Sequence, residues 1–360
     1  MTIRTRKALL RTAAAAALLL PLATASTSAG AATASVYASG FNNPRELKFG
    51  PDGVLYVAEG GTGGTNSTAG QCTQVVPPLG PYTGAPTGGR ISKVVNGQRV
   101  TVNDKFPSSQ TTAATGNLTS GVADISWIGG TLYALTAGAG CSHGVANTVN
   151  GIYRVNGNNT PTLVANLSAF QMANPTAVVK PGDFEPDGTW YSMMARGGAL
   201  YAVEPNHGEL DRITTSGQIS RVADISASQG HIVPTVIAAH GNFYVANLDT
   251  FPIEGDSKVL KITPSGYVTP VAFGLSAVLG IAFDSRDRMY VLEMTVGQPG
   301  PTPGFGDIVR IDPSGKKTIV LSGLNLPSGM TMGPDGALYV SVWGFGAPPG
   351  MGQVLRVTGL

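Results

Sequence analysis

Charged side chains are scarce in this chain of 360 residues, because Asp, Glu, Lys and Arg together supply only 12% of it. The formal net charge is +2, so the composition gives no argument for nucleic acid or an acidic membrane surface as a partner. The chain contains no H-E-x-x-H helix and no phosphate-binding G-x-x-x-x-G-K, and we expect no serine nucleophile on a strand-to-helix elbow. The sequence therefore offers no complete catalytic motif.

Long apolar runs are also missing, since no segment approaches about 18 consecutive apolar residues, and we expect no membrane anchor. The one apolar run, residues 13–23, follows four basic residues and precedes several A-x-A patterns. This is the layout of a secretory signal peptide, which we assign to residues 1–31 with cleavage somewhere within residues 25–34. Losing these four positive charges leaves 19 basic against 21 acidic residues, a net charge of about −2. We expect a secreted protein, periplasmic if the host has an outer membrane.

Turn-forming residues, by contrast, are abundant. The chain holds 49 glycines and 25 prolines, and few segments have a long helical pattern. Short strands between frequent turn signals are typical of all-β proteins.

A strand with tyrosine in a fixed place recurs six times, and it uses six of the eleven tyrosines. The first and last copies follow nearly the same phrase, "GPDGVLYV" and "GPDGALYV". The six tyrosine strands are Leu55–Ala58, Leu132–Leu135, Leu200–Val203, Phe243–Ala246, Met289–Leu292 and Leu338–Ser341.

Each copy has the same order of parts around its tyrosine strand. A short strand and a tight turn precede it, and a long Gly- and Pro-rich loop, a third strand and a further turn follow it. Four antiparallel strands in each of six units predict a six-bladed β-propeller over residues 34–360. The last unit lacks a fourth strand, and residues 34–40 form an orphan strand at the start. We therefore predict that the N-terminal strand closes the last blade, which leaves no long free sheet edge.

Four segments together resemble the ScyD/ScyE family of exported bacterial propeller proteins and, more widely, the NHL-type and gluconolactonase-like six-bladed propellers. They read "ASGFNNPRELKFGPDGVLYVAEGG", "VPTVIAAHGNFYVANLDTFPIEGDSKVLKI", "LGIAFDSRDRMYVLEM" and "PSGMTMGPDGALYVSVWGFG". The resemblance implies the propeller fold but no defined reaction, because a fold hosts many activities.

The two cysteines, Cys72 and Cys141, fall in long loops of adjacent blades on one face. An exported protein can carry disulfides, and a redox role would need a C-x-x-C pattern that is absent. We predict a Cys72–Cys141 disulfide.

Polar residues gather on the long-loop side of the predicted channel, at the ends of tyrosine strands or at the entry to first strands. Oxygen-rich rings suit Ca²⁺ or Mg²⁺. Similar lactonase-like propellers hold a divalent metal at the channel mouth, and Glu59, Asn247 and Glu293 are the nearest positional matches. Capping of backbone amides is the alternative for these side chains. The remaining rim candidates are Arg45, Asp124, Glu185 and Glu204.

Two functions stay open at this point. The first is a monomeric binding or scaffold propeller that holds a small molecule, a glycan or a protein at the channel mouth. The second is a metal-dependent hydrolase or lyase, with His207 or His231 as base. His143, in a long loop, is expected to be solvated.

Overall fold

The computed structural model describes residues 32–183 and 185–360, so the predicted signal peptide, residues 1–31, lies outside the described residues. The described residues form an all-β six-bladed propeller, as predicted. Its first strand is β1 (Thr33–Phe41). Within the described residues, no helix is long and apolar enough to span a membrane.

The blades follow one another along the chain, and each sheet is antiparallel. Blade 1 contains β2 (Pro44–Phe49), β3 (Leu55–Glu59), β4 (Thr83–Val95), β5 (Gln98–Gln110) and β6 (Thr119–Ser120). Blade 2 contains β7 (Val122–Ile128), β8 (Thr131–Thr136), β9 (Gly151–Arg154) and β10 (Thr162–Asn166). Blade 3 contains β11 (Ser192–Arg196), β12 (Ala199–Glu204), β13 (Glu209–Thr214) and β14 (Ile219–Asp224).

The second half repeats the same arrangement. Blade 4 contains β15 (Pro234–His240), β16 (Asn242–Asn247), β17 (Ser257–Ile262) and β18 (Val268–Leu275). Blade 5 contains β19 (Val278–Phe283), β20 (Met289–Glu293), β21 (Gly306–Ile311) and β22 (Lys317–Leu324). Blade 6 contains β23 (Gly329–Met332), β24 (Leu338–Val342), β25 (Gly352–Thr358) and β1. The helical segments are α1 (Leu167–Ala173), α2 (Ser226–Gln229) and the 3₁₀ turns Ala113–Thr115, Cys141–His143 and Pro181–Asp183.

The N-terminal strand closes the last blade, as predicted. β1 runs antiparallel to β25, and the paired residues extend from Thr33 opposite Thr358 to Phe41 opposite Gly352. Blades 6 and 1 also meet through side chains, because the Ser341 hydroxyl donates to the carbonyl of Arg45 at 2.6 Å. The first and last units of the chain are therefore neighbours in the ring.

Blade 1 differs from the predicted four strands by one short addition. β4 and β5 are 13 residues each and extend beyond the rest of their sheet. The C-terminal end of β5 has a free strand edge, and β6 pairs with that edge. Ser109 lies opposite Ser120, and Gln110 lies opposite Thr119. A fifth strand thus covers an edge that the long hairpin would otherwise expose.

The repeated phrase is explained by hydrogen bonds inside two hairpins. In blade 1, Asp52 accepts from the backbone N–H of Val54 at 3.2 Å and from the Tyr56 hydroxyl at 3.0 Å. In blade 6, Asp335 accepts from the Tyr339 hydroxyl at 3.1 Å in the same way. The turn aspartate and the strand tyrosine therefore stabilise each hairpin together.

The glycine that opens each phrase is required by the tyrosine ring. A Cβ atom at Gly50 would lie 2.8 Å from the ring of Tyr56, and one at Gly333 would lie 2.5 Å from the ring of Tyr339. Any larger residue would push the tyrosine away from its aspartate.

The hydrophobic core is divided into layers between neighbouring blades. Leu135 of blade 2 packs with Met193 of blade 3, and Val245 of blade 4 packs with Leu210 of blade 3. Comparable clusters lie between the other neighbouring blades. Because both faces of each blade are covered, the strands alternate between two buried interfaces rather than between core and solvent.

Candidate functional site

A cavity of about 750 Å³ lies at the long-loop end of the central channel. All six blades contribute to it, through the first strands and the loops that follow the second strands. The lining residues used below are Arg45, Tyr82, Glu185, Trp190, Tyr191, Thr250, Leu279, Met294 and Phe345. Most of these side chains are aromatic or aliphatic, which is the usual composition of a small-molecule site.

The predicted disulfide is confirmed. Cys72 and Cys141 are bonded, with an S–S distance of 2.07 Å. The bond joins the long loop of blade 1 to the long loop of blade 2, and the Thr68 hydroxyl donates to the carbonyl of Cys141 between the same loops. The segment after Cys72 leads to Tyr82 on the cavity wall.

Glu59 ends β3, where the sequence analysis places it, and its carboxylate is fully buried. Its Oε2 lies 2.6 Å from the Arg90 guanidinium and accepts from the backbone N–H of Asn42 at 2.6 Å. The Ser92 hydroxyl donates to its Oε1. A metal ion at Glu59 would have to displace these donors.

Asn247 is the last residue of β16, and both polar atoms of its side-chain amide form hydrogen bonds with backbone groups. Its Nδ2 donates to the carbonyl of Ile232 at 2.8 Å, and its Oδ1 accepts from the backbone N–H of Lys258 at 2.7 Å. Asn247 thereby connects the entry of its blade to β17.

Glu293 ends β20 and accepts from the backbone N–H of Ser276 at 2.6 Å. The pKa of Glu293 is raised to about 7, mainly by burial and to a smaller extent by the nearby Asp307, while the Ser276 hydrogen bond opposes the shift. None of Glu59, Asn247 and Glu293 is among the described residues that line the cavity. The described residues also contain no group of three or more His, Cys, Asp or Glu arranged to hold a metal.

His207 lies against Glu204, its Nδ1 being 3.2 Å from Oε2 of that carboxylate. Burial lowers the pKa of His207, but Glu204 and Glu209 raise it, and the net pKa lies above the ordinary value. Glu204 also accepts from the backbone N–H of Thr189 at 3.0 Å. His231, the other candidate base, is half-buried just before β15.

Asp124 is fully buried, is not among the described residues that line the cavity, and forms an ion pair with Lys48. The ammonium of Lys48 contacts both carboxylate oxygens of Asp124, at 2.6 and 2.7 Å. Burial raises the pKa of Asp124, and Lys48 opposes that shift. The pKa of the neighbouring Glu46 is raised well above its ordinary value, mainly by burial and next by the negative charge of Asp124.

His143 is buried, not solvated as expected from its loop position. Its ring packs edge-on against Tyr82 at 5.0 Å, and its Nε2 lies 3.6 Å from Oε2 of Glu185. The Tyr82 hydroxyl donates to Oε1 of Glu185 at 2.8 Å. The three side chains form a polar cluster in which Tyr82 and Glu185 line the cavity and His143 does not. The one sequence signal for it is the proximity of His143 to Cys141, whose disulfide holds the loop.

Residues 140–144, Gly-Cys-Ser-His-Gly, match the G-x-S-x-G pattern, which our expectation of no serine nucleophile overlooked. The surroundings are not those of a nucleophile elbow, since the serine lies in a 3₁₀ turn. The buried Ser142 hydroxyl donates to Asp187 at 2.6 Å, and Ser142 is not among the described residues that line the cavity. Its role here is to fix the loop.

Among the rim candidates, Arg45 and Glu185 do line the cavity. Arg45 is 6% exposed, and its guanidinium carbon lies 4.1 Å from the centre of the Phe345 ring and 5.6 Å from that of Tyr191. Its Nη2 donates to the carbonyl of Thr119. The cavity therefore combines aromatic walls with one buried cation and one buried carboxyl group.

No family model matches this chain, and no curated protein matches it. Solved structures do resemble it in fold. A glucose dehydrogenase from Thermus thermophilus superposes with a TM-score of 0.57 at 17% identity, over 91% of this chain and 100% of the other. A second glucose dehydrogenase superposes with a TM-score of 0.53 at 13% identity, over 91% of this chain and 99% of the other. A gluconolactonase superposes with a TM-score of 0.51 at 11% identity, over 91% of this chain and 92% of the other. At these identities the likeness establishes the propeller fold alone.

Proposed function

We propose that this protein is an exported binding propeller that holds a small organic molecule in the channel-mouth cavity. The cavity itself carries the proposal. It has about 750 Å³ of space, aromatic and aliphatic walls, and a few buried polar groups, which is what a small-molecule site requires. The resemblance to the exported ScyD/ScyE propellers and the disulfide support export. Glycans and proteins are less suited to a concave, mainly apolar site.

Filling the cavity tests this function. Thr250 lines the cavity on the loop after β16, and its hydroxyl has no hydrogen bond to another described residue. Thr250→Trp should occupy part of the space and weaken binding of a neutral aromatic probe, 2-naphthamide, at least tenfold. Isothermal titration on the wild type and the variant measures the two dissociation constants.

Thr269→Trp is the matched control, because Thr269 lies on β18, the last strand of blade 4, and outside the cavity lining. Its dissociation constant should equal that of the wild type. Equal weakening in both tryptophan variants, or no binding of the probe to the wild type at millimolar concentration, would contradict a binding function for the cavity.

A metal-dependent hydrolase or lyase is the second candidate, because a propeller named as a gluconolactonase, which is a hydrolase, shares the fold with a TM-score of 0.51. The surroundings of Glu59 and Asn247 do not favour a metal, since both side chains already bind protein groups. We derive no catalytic step through one.

Removing any bound metal with a chelator tests the metal-dependent function. If Ca²⁺ or Mg²⁺ is bound to the folded protein, EDTA should lower its melting temperature by several degrees, and added metal should restore it. Differential scanning calorimetry before and after dialysis measures the shift. An unchanged melting temperature, together with no metal in elemental analysis, rules against the metal-dependent function.

A further inference from the structure

Arg45 carries a charge that the described protein groups do not balance. None of the ion pairs among the described residues includes Arg45, although it is 6% exposed. Its Nη1 is buried and has no hydrogen-bond partner of normal geometry in the described part of the chain, although the guanidinium lies near the Tyr191 hydroxyl and opposes the rise in that group's pKa caused by burial. A buried cation without a counter-charge is costly, so such groups are normally paired or bind a ligand.

The nearby acidic groups do not supply the missing charge. Asp124 is paired with Lys48, so these two charges cancel. Glu46 is adjacent to Arg45 in the chain, but it forms no ion pair with it, and burial raises the pKa of Glu46 well above the ordinary value. Glu185 interacts with Tyr82 and His143 on the other side of the lining. Asp249 and Lys180 also line the cavity, and no described carboxylate forms an ion pair with Arg45.

Phe345 and Tyr191 hold the guanidinium in place. The Phe345 ring lies under its plane at 4.1 Å, and the hydroxyl of Tyr191 is itself anchored to the carbonyl of Ser328 at 2.9 Å. The hydrogen bond from Nη2 to Thr119 fixes the remaining rotation. The Arg45 guanidinium is thus preorganised beside the cavity, which reduces the entropy lost when a ligand binds.

The chemistry of the ligand follows from this donor and from the walls. An arginine N–H is a strong donor to carboxylate oxygens. One unpaired guanidinium balances a single negative charge, so a monoanionic carboxylate fits the apolar cavity better than a doubly charged phosphate. The aromatic and aliphatic walls formed by Trp190, Leu279 and Met294 favour an aromatic or otherwise apolar body.

We propose that the cavity selects small organic acids with an aromatic or apolar body, and that the Arg45 guanidinium binds their carboxylate. This inference rests on the proposed binding function. It adds the chemical class of the ligand and the residue that recognises the ligand's carboxylate. Arg45 is then the residue that determines specificity for an anionic group over a neutral one of the same shape.

A pair of isosteric probes tests the inference. The wild type should bind 2-naphthoate at least tenfold more tightly than 2-naphthamide in isothermal titrations at pH 7. In Arg45→Met, which keeps an apolar chain against Phe345, the ratio of the two affinities should fall to about one, while the affinity for 2-naphthamide changes by less than threefold. Arg45→Lys should keep part of the preference, because it keeps the charge.

The outcomes separate the inference from the function on which it rests. Equal affinity of the wild type for both probes would overturn the role of Arg45 and leave the cavity as a binding site. Binding of neither probe would overturn both. The comparison on the wild type needs no variant, so it can overturn the inference even if Arg45→Met does not fold.

Discussion

Replacing Lys48 with methionine is expected to lower the free energy of unfolding by about 3–5 kcal/mol, the range for removing one partner of a buried ion pair. The Asp124 side chain is completely buried, while that of Lys48 is 26% exposed. Without the ammonium group, Asp124 would keep a buried charge with no cation beside it. Guanidinium denaturation followed by tryptophan fluorescence measures the change.

The size of this effect comes from the number of blades that Lys48 joins. Its ammonium group, on blade 1, contacts Asp124 and the carbonyl of Ile125 at 3.0 Å on blade 2, and it donates to the carbonyl of Met193 on blade 3. Asp124 in turn accepts from the backbone N–H of Met193 at 2.6 Å. One side chain therefore satisfies polar groups from two further blades at the channel, where neighbouring first strands meet.

Lys105→Met is the matched control for Lys48→Met. Lys105 pairs with Asp104 at 2.7 Å, but both side chains are 46% exposed, and exposed pairs contribute about 1 kcal/mol or less. In Lys48→Met/Asp124→Asn, which removes both charges, much of the loss should be recovered. Equal destabilisation by the two lysine variants would show that the channel pair is not a special contributor to stability.

The sequence predicted the strands well because their signals are local. Glu59, Glu204, Asn247 and Glu293 were each placed at the end of a tyrosine strand, and each does end one. The alternation of apolar residues and the Gly- and Asp-containing turns determine such boundaries over a few residues. The closing role of β1 was predictable for a similar reason, because a strand was missing at one terminus and left over at the other.

The partners of these side chains were not predictable, because they depend on distances across the ring. Arg90 follows Glu59 by 31 residues, and Lys48 meets Asp124 across 76 residues and a blade boundary. The burial of His143 depends on a disulfide and on a loop from the next blade. Arg45 could be named as a rim residue from its position, but its lack of a counter-charge appears only when all neighbouring groups are located.

The second large effect is expected from Cys72→Ser/Cys141→Ser, which should lower the free energy of unfolding by about 4 kcal/mol. The disulfide closes a segment with a sequence separation of 69 residues, and a loop of that length gives this loss from the entropy of the unfolded chain. The variant should also bind 2-naphthamide more weakly, because Tyr82 reaches the cavity wall on the segment that follows Cys72. Denaturation and titration of the same preparation measure both changes.

Reduction of the wild type provides the control for the serine variant. These two cysteines are the only ones in the chain, so a reductant acts on this bond alone. The reduced wild type and the double variant should have the same denaturation midpoint, and the reductant should not alter the variant. If the midpoint drops but binding is unchanged, the disulfide stabilises the fold without shaping the cavity. If neither changes, the loops of blades 1 and 2 are held by their hydrogen bonds, including that from Thr68 to Cys141, and the bond is redundant.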